Sequence, residues 1–195
     1  MRIMLLSDEE VAYIWDFFNP DNFKDIDLII ACGDLKAEYL SFLVTVIHVP
    51  LFYVPGNHDV KYINNPPEGC DCIDGKLVTY KNIRILGLGG SYMYNGGIYQ
   101  YNEKQMEKRI SKLKLKLFLN KGFDILVTHA PGYKLGDGED LCHRGFECFN
   151  KLLDKYSPKY FLHGHQHLRY GLIPRIRKYK NTTIINGFEY HIFEY

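Results

Sequence analysis

Length, composition and charge limit the classes of function open to this chain. Its 195 residues suit one domain, and 46% of them are hydrophobic, which is enough for a sizeable core. The 24 basic and 23 acidic side chains leave a net charge of +1, which gives no sign of a broad nucleic-acid or anionic-membrane surface. No apolar run approaches the ~20 residues that span a bilayer, and the N-terminus turns acidic too early for a signal peptide. We therefore expect a cytoplasmic protein that forms a single domain over residues 1–195.

The first half of the chain alternates apolar runs with segments of helical periodicity. Strands are predicted at residues 2–6, 27–32 and 51–54, and helices at 11–18 and 37–47. A strand–helix–strand–helix–strand order implies right-handed crossovers between the strands, and it therefore indicates a parallel sheet at the core.

The second half of the chain is richer in strands. A hairpin is predicted over residues 76–80 and 83–88, followed by a long basic helix over 102–119. A buried strand at 125–127 and a helix at 145–156 come next. The remaining predicted strands are 160–162, 168–172, 182–185 and 190–193.

The long basic helix places several lysines on one side. Lys108, Lys112 and Lys116 are spaced four residues apart and so share a face. We interpret this face as an ordinary solvated surface rather than a phosphate-binding patch.

Five apolar runs each end in a short polar motif. In chain order the motifs are Asp8-Glu9-Glu10, Gly33-Asp34, Gly56-Asn57-His58-Asp59, Thr128-His129-Ala130-Pro131 and Gly164-His165-Gln166-His167. In open α/β sheets, ligands bind outside the carboxyl ends of the strands, so one site assembled from five loops is the simplest interpretation. The early motifs supply oxygen donors and the late ones supply imidazoles, a mixture that suits transition metals better than calcium.

These motifs, in this order, resemble the signature of the calcineurin-like metallophosphoesterase superfamily. That signature is Asp-x-His, Gly-Asp, Gly-Asn-His-Asp/Glu, a lone His and Gly-His-x-His. The resemblance implies an α/β fold, a four-layer αββα sandwich of two mixed β-sheets flanked by helices, and at 195 residues we expect no capping domain. It also implies a hydrolase that cleaves phosphate esters by in-line attack of a hydroxide that bridges two divalent metal ions.

The resemblance also assigns roles to individual residues. Asp34 would bridge the two metal ions. The first metal would take Asp8, Glu10 and His167, and the second would take Asn57, His129 and His165. His58 would stabilise developing charge and help to protonate the leaving oxygen. Asp59 would orient His58, as carboxylates behind catalytic groups commonly do.

Strand geometry offers a reason for the spacing inside two of the motifs. Alternate residues of a strand share a face, so in an extended segment Asp8 and Glu10 would reach one metal together. On the same argument His165 and His167 would share a direction.

Position 10 departs from the family pattern, because it is Glu where the pattern has His. Three interpretations stay open. Glu10 could bind the metal directly, which would favour Mn²⁺ or Mg²⁺ over Zn²⁺. It could act through a water and leave the first site weak, or the site could be broken and the protein a scaffold. We expect two divalent ions with Mn²⁺ preferred, and Fe, Zn, Mg or Ni as other candidates.

The substrate class is also open between alternatives. A site without a capping domain suits a phosphodiester, with a phosphomonoester as the other enzyme class. The family also contains binding modules that have lost metal ligands, such as the retromer subunit. The expected partner is a small-molecule phosphate ester, with no membrane and no nucleic acid beyond small nucleotides. His143 and Arg144 would either meet a substrate phosphate or simply cap and solvate the helix that follows.

Overall fold

The first of two large sheets carries three of the polar motifs at its strand ends. The computed structural model describes residues 1–168 and 174–195. The strands of this sheet are β1 (Arg2–Ser7), β2 (Leu28–Ala31), β3 (Leu51–Tyr53), β4 (Asp71–Cys72) and β13 (Glu189–Glu194). Their order is β13-β1-β2-β3-β4, with β13 antiparallel to β1 and the other pairs parallel. The predicted parallel core is therefore confirmed.

The second large sheet carries the histidine motifs. Its strands are β5 (Lys76–Tyr80), β6 (Ile83–Leu88), β9 (Ile125–Thr128), β10 (Tyr160–His163), β11 (Ile176–Tyr179) and β12 (Thr182–Asn186). The order is β11-β12-β10-β9-β6-β5, parallel in the centre and antiparallel at both edges. A small parallel pair joins β7 (Ser91–Tyr92) to β8 (Gln100–Tyr101).

Five α-helices cover the outer faces in the part of the chain that the structure describes. They are α1 (Ala12–Trp15), α2 (Ala37–Ile47), α3 (Glu103–Lys112), α4 (Lys114–Leu119) and α5 (Glu147–Tyr156). Short 3₁₀ turns lie at Pro20–Asn22 and Asp59–Ile63. Within residues 1–168 and 174–195, none of the helices has both the length and the apolar character that a membrane crossing requires.

The alternation of side chains along β1 shows how the layers are held together. Ile3 and Leu5 point into a core between the two sheets, together with residues of β6, β9 and β10. Met4 and Leu6 point the other way and pack under Tyr39 of α2. A third core fills the space between the second sheet and helices α3, α4 and α5. The molecule is thus a helix–sheet–sheet–helix sandwich, which confirms the predicted fold class.

Several predicted elements end elsewhere than expected. The helix predicted at 11–18 is confined to Ala12–Trp15, since the aromatic and Asn-Pro residues that follow are weak helix formers. The helix predicted at 102–119 divides at Leu113, whose N–H donates to Ile110 O in a tighter 3₁₀-type turn. Strand β11 was not predicted because its exposed, lysine- and arginine-containing sequence lacks the apolar signal of a buried strand. The strand predicted at 168–172 lies, apart from residue 168, outside the described residues.

The ion pair between Arg109 and Asp74 ties α3 to the loop before β5, and we expect its loss to destabilise the fold. Arg109 donates to both carboxylate oxygens of Asp74, at 2.5 and 2.7 Å, and to Gly89 O at 2.8 Å. Only 17% and 21% of the two side chains are exposed. Arg109→Met would leave the Asp74 charge half-buried and unpaired, so we expect a loss of about 2–3 kcal/mol in the free energy of unfolding.

Urea denaturation monitored by circular dichroism measures this effect. The matched control is Lys81→Met, which breaks the exposed pair with Asp27 and should change the free energy of unfolding far less. Equal effects of the two substitutions would contradict the assignment.

Candidate metal centre

Three of the predicted ligands occupy strained turns just beyond strand ends. Asp8 follows β1, Asp34 lies three residues after β2, and His165 lies two residues after β10. Their φ angles are 68°, 57° and 67°, in the left-handed region that non-glycine residues rarely adopt. Such conformations cluster at functional sites, because the surrounding structure has to hold them in place. The turns aim these side chains at one another across the edge of both sheets.

The motif glycines let the loops approach the carboxylates closely. A Cβ atom on Gly56 would lie 2.1 Å from Asp34 Oδ1, and one on Gly164 would lie 2.7 Å from Asp8 Oδ2. Any side chain at either position would displace the neighbouring carboxylate, so these glycines belong to the construction of the site.

The centre of the site is a cluster of oxygen and nitrogen donors. Asp34, His129 and His165 each offer one ligand atom, and these atoms lie within 4.8 Å of one another. His129 Nε2 is 3.3 Å from Asp34 Oδ2 and 3.0 Å from Asn57 Oδ1. The His129 and His165 rings are 4.7 Å apart. The structure therefore brings together the predicted bridging residue and all three predicted ligands of the second metal.

Backbone carbonyls orient both imidazoles for metal binding. His129 Nδ1 lies 2.7 Å from Cys32 O, and His165 Nε2 lies 2.8 Å from Cys142 O. A carbonyl oxygen only accepts hydrogen bonds, so these nitrogens carry protons and donate them. In the neutral rings, His129 Nε2 and His165 Nδ1 then carry the free lone pairs, as metal-binding histidines require. The donor set and its orientation fit a divalent transition metal.

The charges inside the cluster also favour a cation. Burial opposes ionisation of both Asp34 and His129, but the attraction between their charges has the larger effect on both pKa values. It lowers the pKa of Asp34 to about 2 and raises the pKa of His129 to about 9. In the metal-free protein a protonated His129 therefore neutralises the buried carboxylate.

Asp8 contacts this cluster through the turn that carries His165. Its two carboxylate oxygens accept the His165 N–H at 3.0 and 2.9 Å. Burial raises the pKa of Asp8, and the nearby Asp34 charge raises it further, while His167 is close enough to oppose the shift. His167 itself is exposed, with its ring 4.9 Å from that of Phe188.

The strand-alternation argument for ligand pairs is wrong. Strand β1 ends at Ser7, and the left-handed turn at Asp8 breaks the extended geometry that would give Asp8 and Glu10 a common face. The left-handed turn at His165 does the same for His165 and His167: His165 is buried and His167 is exposed.

Glu10 lies apart from the donor cluster. Its Oε1 accepts the Lys36 N–H at 2.8 Å, and its Oε2 lies 3.2 Å from Lys36 Nζ. The turn at Asp8 carries Glu10 toward the start of α2, where it lines the same cleft as Asp34 but pairs with Lys36. The structure thus gives no support to direct metal binding by Glu10 in this conformation.

His58 and Asp59 take different positions in their loop. The His58 N–H donates to Asp34 Oδ1 at 2.8 Å, and its exposed side chain lines a cleft of about 520 Å³ together with Asp34. Asp59 Oδ2 accepts N–H groups from Gly56 at 2.7 Å and Asp34 at 2.8 Å. Burial, and then the Asp34 charge, raise the pKa of Asp59 to about 7. The bonds of Asp59 shape the loop that carries Asp34, rather than orienting the His58 imidazole as predicted.

Three contributors to the site were not found from the sequence. The Tyr94 hydroxyl lies 3.3 Å from Asn57 Nδ2, Cys142 O holds His165, and Gln166 Nε2 donates to His143 O. Tyr94 belongs to a Tyr-, Asn- and Gly-rich loop that gave no specific signal. The other two contacts depend on a backbone oxygen and on the loop between β9 and α5, which no residue pattern encodes.

His143 and Arg144 separate into two roles. Helix α5 begins at Glu147 with Phe146 as N-cap, so neither residue caps it. His143 Nδ1 lies 2.8 Å from Asp140 Oδ2, and its ring is 5.4 Å from that of His165. The Arg144 guanidinium lies over the Tyr92 and Tyr133 rings, at 5.2 and 4.9 Å from their centroids. Arg144 therefore packs on two tyrosines of the neighbouring loops, while His143 lies next to the donor cluster.

The fold and the cluster together define a two-sheet α/β protein with candidate metal ligands at its strand ends. Residues 5–169 match the model of the calcineurin-like phosphoesterase family, and the chain belongs to that family. Its members generally use divalent metals, and most are phosphoesterases. Among curated protein sequences, none matches this chain.

Solved structures share the fold at low sequence identity. TT1561 of Thermus thermophilus superposes with a TM-score of 0.66 at 16% identity, over 96% of this chain and 89% of its own. Another structure gives a TM-score of 0.69 at 14% identity, over 98% of this chain and 93% of its own. A 5'-nucleotidase from Candida albicans gives 0.53 at 12% identity, over 95% of this chain but 44% of its own. At these identities the likeness concerns the fold alone.

Glu10→Ala tests whether Glu10 leaves Lys36 when metal binds. Because the carboxylate is held by the Lys36 N–H and ammonium, we expect the affinity for Mn²⁺ to change little. Asp8→Ala, made in parallel, should weaken binding of one cation by more than the about 10–100-fold that loss of a residue behind a ligand costs. Isothermal titration of metal-free protein with Mn²⁺ measures both. A loss for Glu10→Ala as large as that for Asp8→Ala would show that Glu10 is a ligand, and Glu10→His should then shift the metal preference.

Proposed function

We propose that this protein is a metal-dependent phosphoesterase that hydrolyses phosphodiesters with two divalent cations, Mn²⁺ being preferred. The observation that carries the proposal is the buried Asp34–His129–His165 cluster, with both imidazoles oriented by backbone carbonyls. Two divalent cations held there would neutralise the anionic ester and lower the pKa of water near it.

The protein's own residues divide into those that hold cations and those that face the substrate. Asp34, Asn57, His129 and His165 would hold the tighter cation. Asp8 and His167, with Asp34, would hold a weaker one, because Glu10 is engaged by Lys36. A tight and a weak binding step are therefore expected.

The cleft beside the cluster is where the ester would bind. It is lined by Asp34, His58, Trp15, Lys36 and Lys61, and also by the acidic residues Glu10, Glu38 and Asp59, so an anionic ester would need the cations to bind there. His58, whose side chain lines this cleft, would donate a proton to a leaving oxygen, and Lys61 would supply positive charge for the phosphate, since Lys36 is paired with Glu10. The volume of the cleft, about 520 Å³, lies within the ~300–1,000 Å³ of small-molecule sites.

Metal-loaded protein tests the proposal. We expect about two metals per chain by elemental analysis after Mn²⁺ loading, and turnover of bis-p-nitrophenyl phosphate faster than of p-nitrophenyl phosphate. The reverse preference would indicate a phosphomonoesterase. No turnover with Mn²⁺, Mg²⁺, Fe²⁺, Zn²⁺ or Ni²⁺ would reject the enzyme and favour a binding module. A panel of cyclic nucleotides, dinucleotides, phosphoproteins and glycerophosphodiesters would then narrow the substrate.

A further inference from the structure

Positive charge is concentrated on α3, α4 and the turn after them. Residues 103–121 contain seven basic and two acidic side chains, a net charge of +5, whereas the whole chain carries +1. The remainder of the chain is therefore net negative. The net charge of the whole chain is near neutral and by itself predicts no anionic-membrane surface. It hides a strongly basic segment, because the rest of the chain is acidic.

Large apolar side chains project into solvent from the same segment. On α4, Leu115, Phe118 and Leu119 are 70%, 77% and 68% exposed. Their spacing of three and four residues places them on one face of the helix, while Leu113 and Leu117 point into the core. Contiguous exposed apolar residues of this kind commonly mark an interaction site on a protein surface.

A basic groove adjoins these projecting side chains. It has a volume of about 590 Å³ and lies between α3, α4 and α5. Its lining includes five lysines and Glu107, which pairs with Lys151 at 2.7 Å, together with the apolar residues Ile110, Leu117 and Leu152. The five lysines are Lys104, Lys108, Lys114, Lys151 and Lys155. The three exposed residues of α4 lie outside the groove, so a partner that filled only the groove would leave them in water.

This surface lies at the opposite end of the second sheet from the donor cluster. Helix α4 ends at Leu119 and leads into β9 at Ile125, whereas His129 follows the other end of β9. A partner bound to α4 would therefore leave the cleft open to solvent.

We propose that the face formed by α3 and α4 docks on an anionic lipid bilayer. Leu115, Phe118 and Leu119 would enter the boundary between headgroups and acyl chains, with the lysines over anionic headgroups. Exposed apolar side chains on one helix face, with lysines on the adjoining surface, are typical of helices that lie in this interface. A fluid bilayer accommodates protruding side chains without a preformed pocket.

Other partners fit the surface less well. A second copy packed about a twofold axis would set the lysines of one protomer against those of the other. A nucleic acid would use the lysines, but it would leave Leu115 and Leu119 without a role.

Vesicle co-sedimentation of the metal-loaded protein tests this docking. We expect binding to phosphatidylcholine vesicles that contain phosphatidylglycerol, weakened by salt, and little binding to phosphatidylcholine alone. Lys114→Glu/Lys116→Glu should lower the affinity by tenfold or more, since each lysine near an anionic surface contributes about fivefold. Leu115→Ser/Phe118→Ser should lower it to a similar extent.

The matched control is Phe17→Ser, which removes a residue that is 72% exposed outside the basic segment and should leave vesicle binding unchanged. Thermal unfolding and hydrolysis of bis-p-nitrophenyl phosphate in solution report whether each variant is folded, independently of docking. Equal binding to both vesicle types, or unchanged binding by both double variants, would overturn the proposal. If the parent protein is a dimer and the Leu115→Ser/Phe118→Ser variant is a monomer, the face binds a second copy and the proposal is rejected. If an oligonucleotide displaces the protein from vesicles and the Leu115→Ser/Phe118→Ser variant binds that oligonucleotide as the parent does, the face binds nucleic acid and the proposal is also rejected.

Discussion

Asp34→Asn should abolish tight metal binding and lower kcat/KM for bis-p-nitrophenyl phosphate by about a thousandfold or more. Asparagine keeps the shape of the side chain, and its Oδ1 can still accept the His58 N–H. It lacks the charge that pairs with His129 across 3.3 Å and that would hold two cations close together. Loss of several kcal/mol of transition-state stabilisation corresponds to this fall in rate. Titration calorimetry and steady-state kinetics measure the two effects.

The same variant makes a prediction for the metal-free protein that does not depend on activity. The pKa of His129 is raised to about 9 by Asp34, against ~6.5 in the unfolded chain. Between these values the folded state binds an extra proton, so the stabilisation is complete below pH ~6.5 and is lost as the pH rises through about 9. Asp34→Asn should flatten this fall in stability between neutral and alkaline pH. A variant that keeps both the metal affinity and the pH dependence of the parent would contradict the bridging role.

The elements predicted correctly are those whose boundaries follow from local pattern. Helix α2 and the β5–β6 hairpin have the predicted bounds, because apolar periodicity and a two-residue turn at Lys81-Asn82 fix them locally. The break at Leu113 depends instead on tertiary packing, since Leu113 and Leu117 must both reach the same core. Strand β11 is held by pairing with β12, and its own residues carry no strand signal.

The candidate site likewise has parts that the sequence predicts and parts that depend on the folded backbone. The resemblance assigns Asp34, Asn57, His129 and His165 as ligands, and each follows a strand, so the strand ends bring them to one edge of the fold. It does not reveal the turn at Asp8, whose φ of 68° depends on neighbouring contacts, among them its N–H bond to Gly33 O at 3.1 Å. That single turn decides where Glu10 goes. The motifs therefore predict which residues come to this edge, whereas the backbone conformation decides where each side chain points.

His58→Ala should lower kcat by about 10²–10⁴-fold for a phosphodiester with an alkyl leaving group, while metal binding is retained. His58 lines the cleft with Asp34, and in this structure its side chain is exposed. An alkoxide leaves poorly unless it is protonated, whereas p-nitrophenolate leaves readily without a proton. The loss should therefore be much smaller for bis-p-nitrophenyl phosphate, and this contrast separates proton donation from a general loss of structure.

The matched control for His58 is His191→Ala, since His191 lies on edge strand β13 outside the donor cluster. It should leave kcat unchanged for both substrates, with unchanged metal content by elemental analysis. An equal loss for alkyl and p-nitrophenyl esters in His58→Ala would assign His58 to phosphate binding alone. Because Asp59 Oδ2 accepts the N–H groups of Gly56 and Asp34, Asp59→Ala removes both hydrogen bonds and should instead act through the Asp34 loop and weaken metal binding. The roles of the two neighbouring residues can thus be distinguished: the effect of His58 on kcat depends on the leaving group, and the effect of Asp59 appears in the metal affinity.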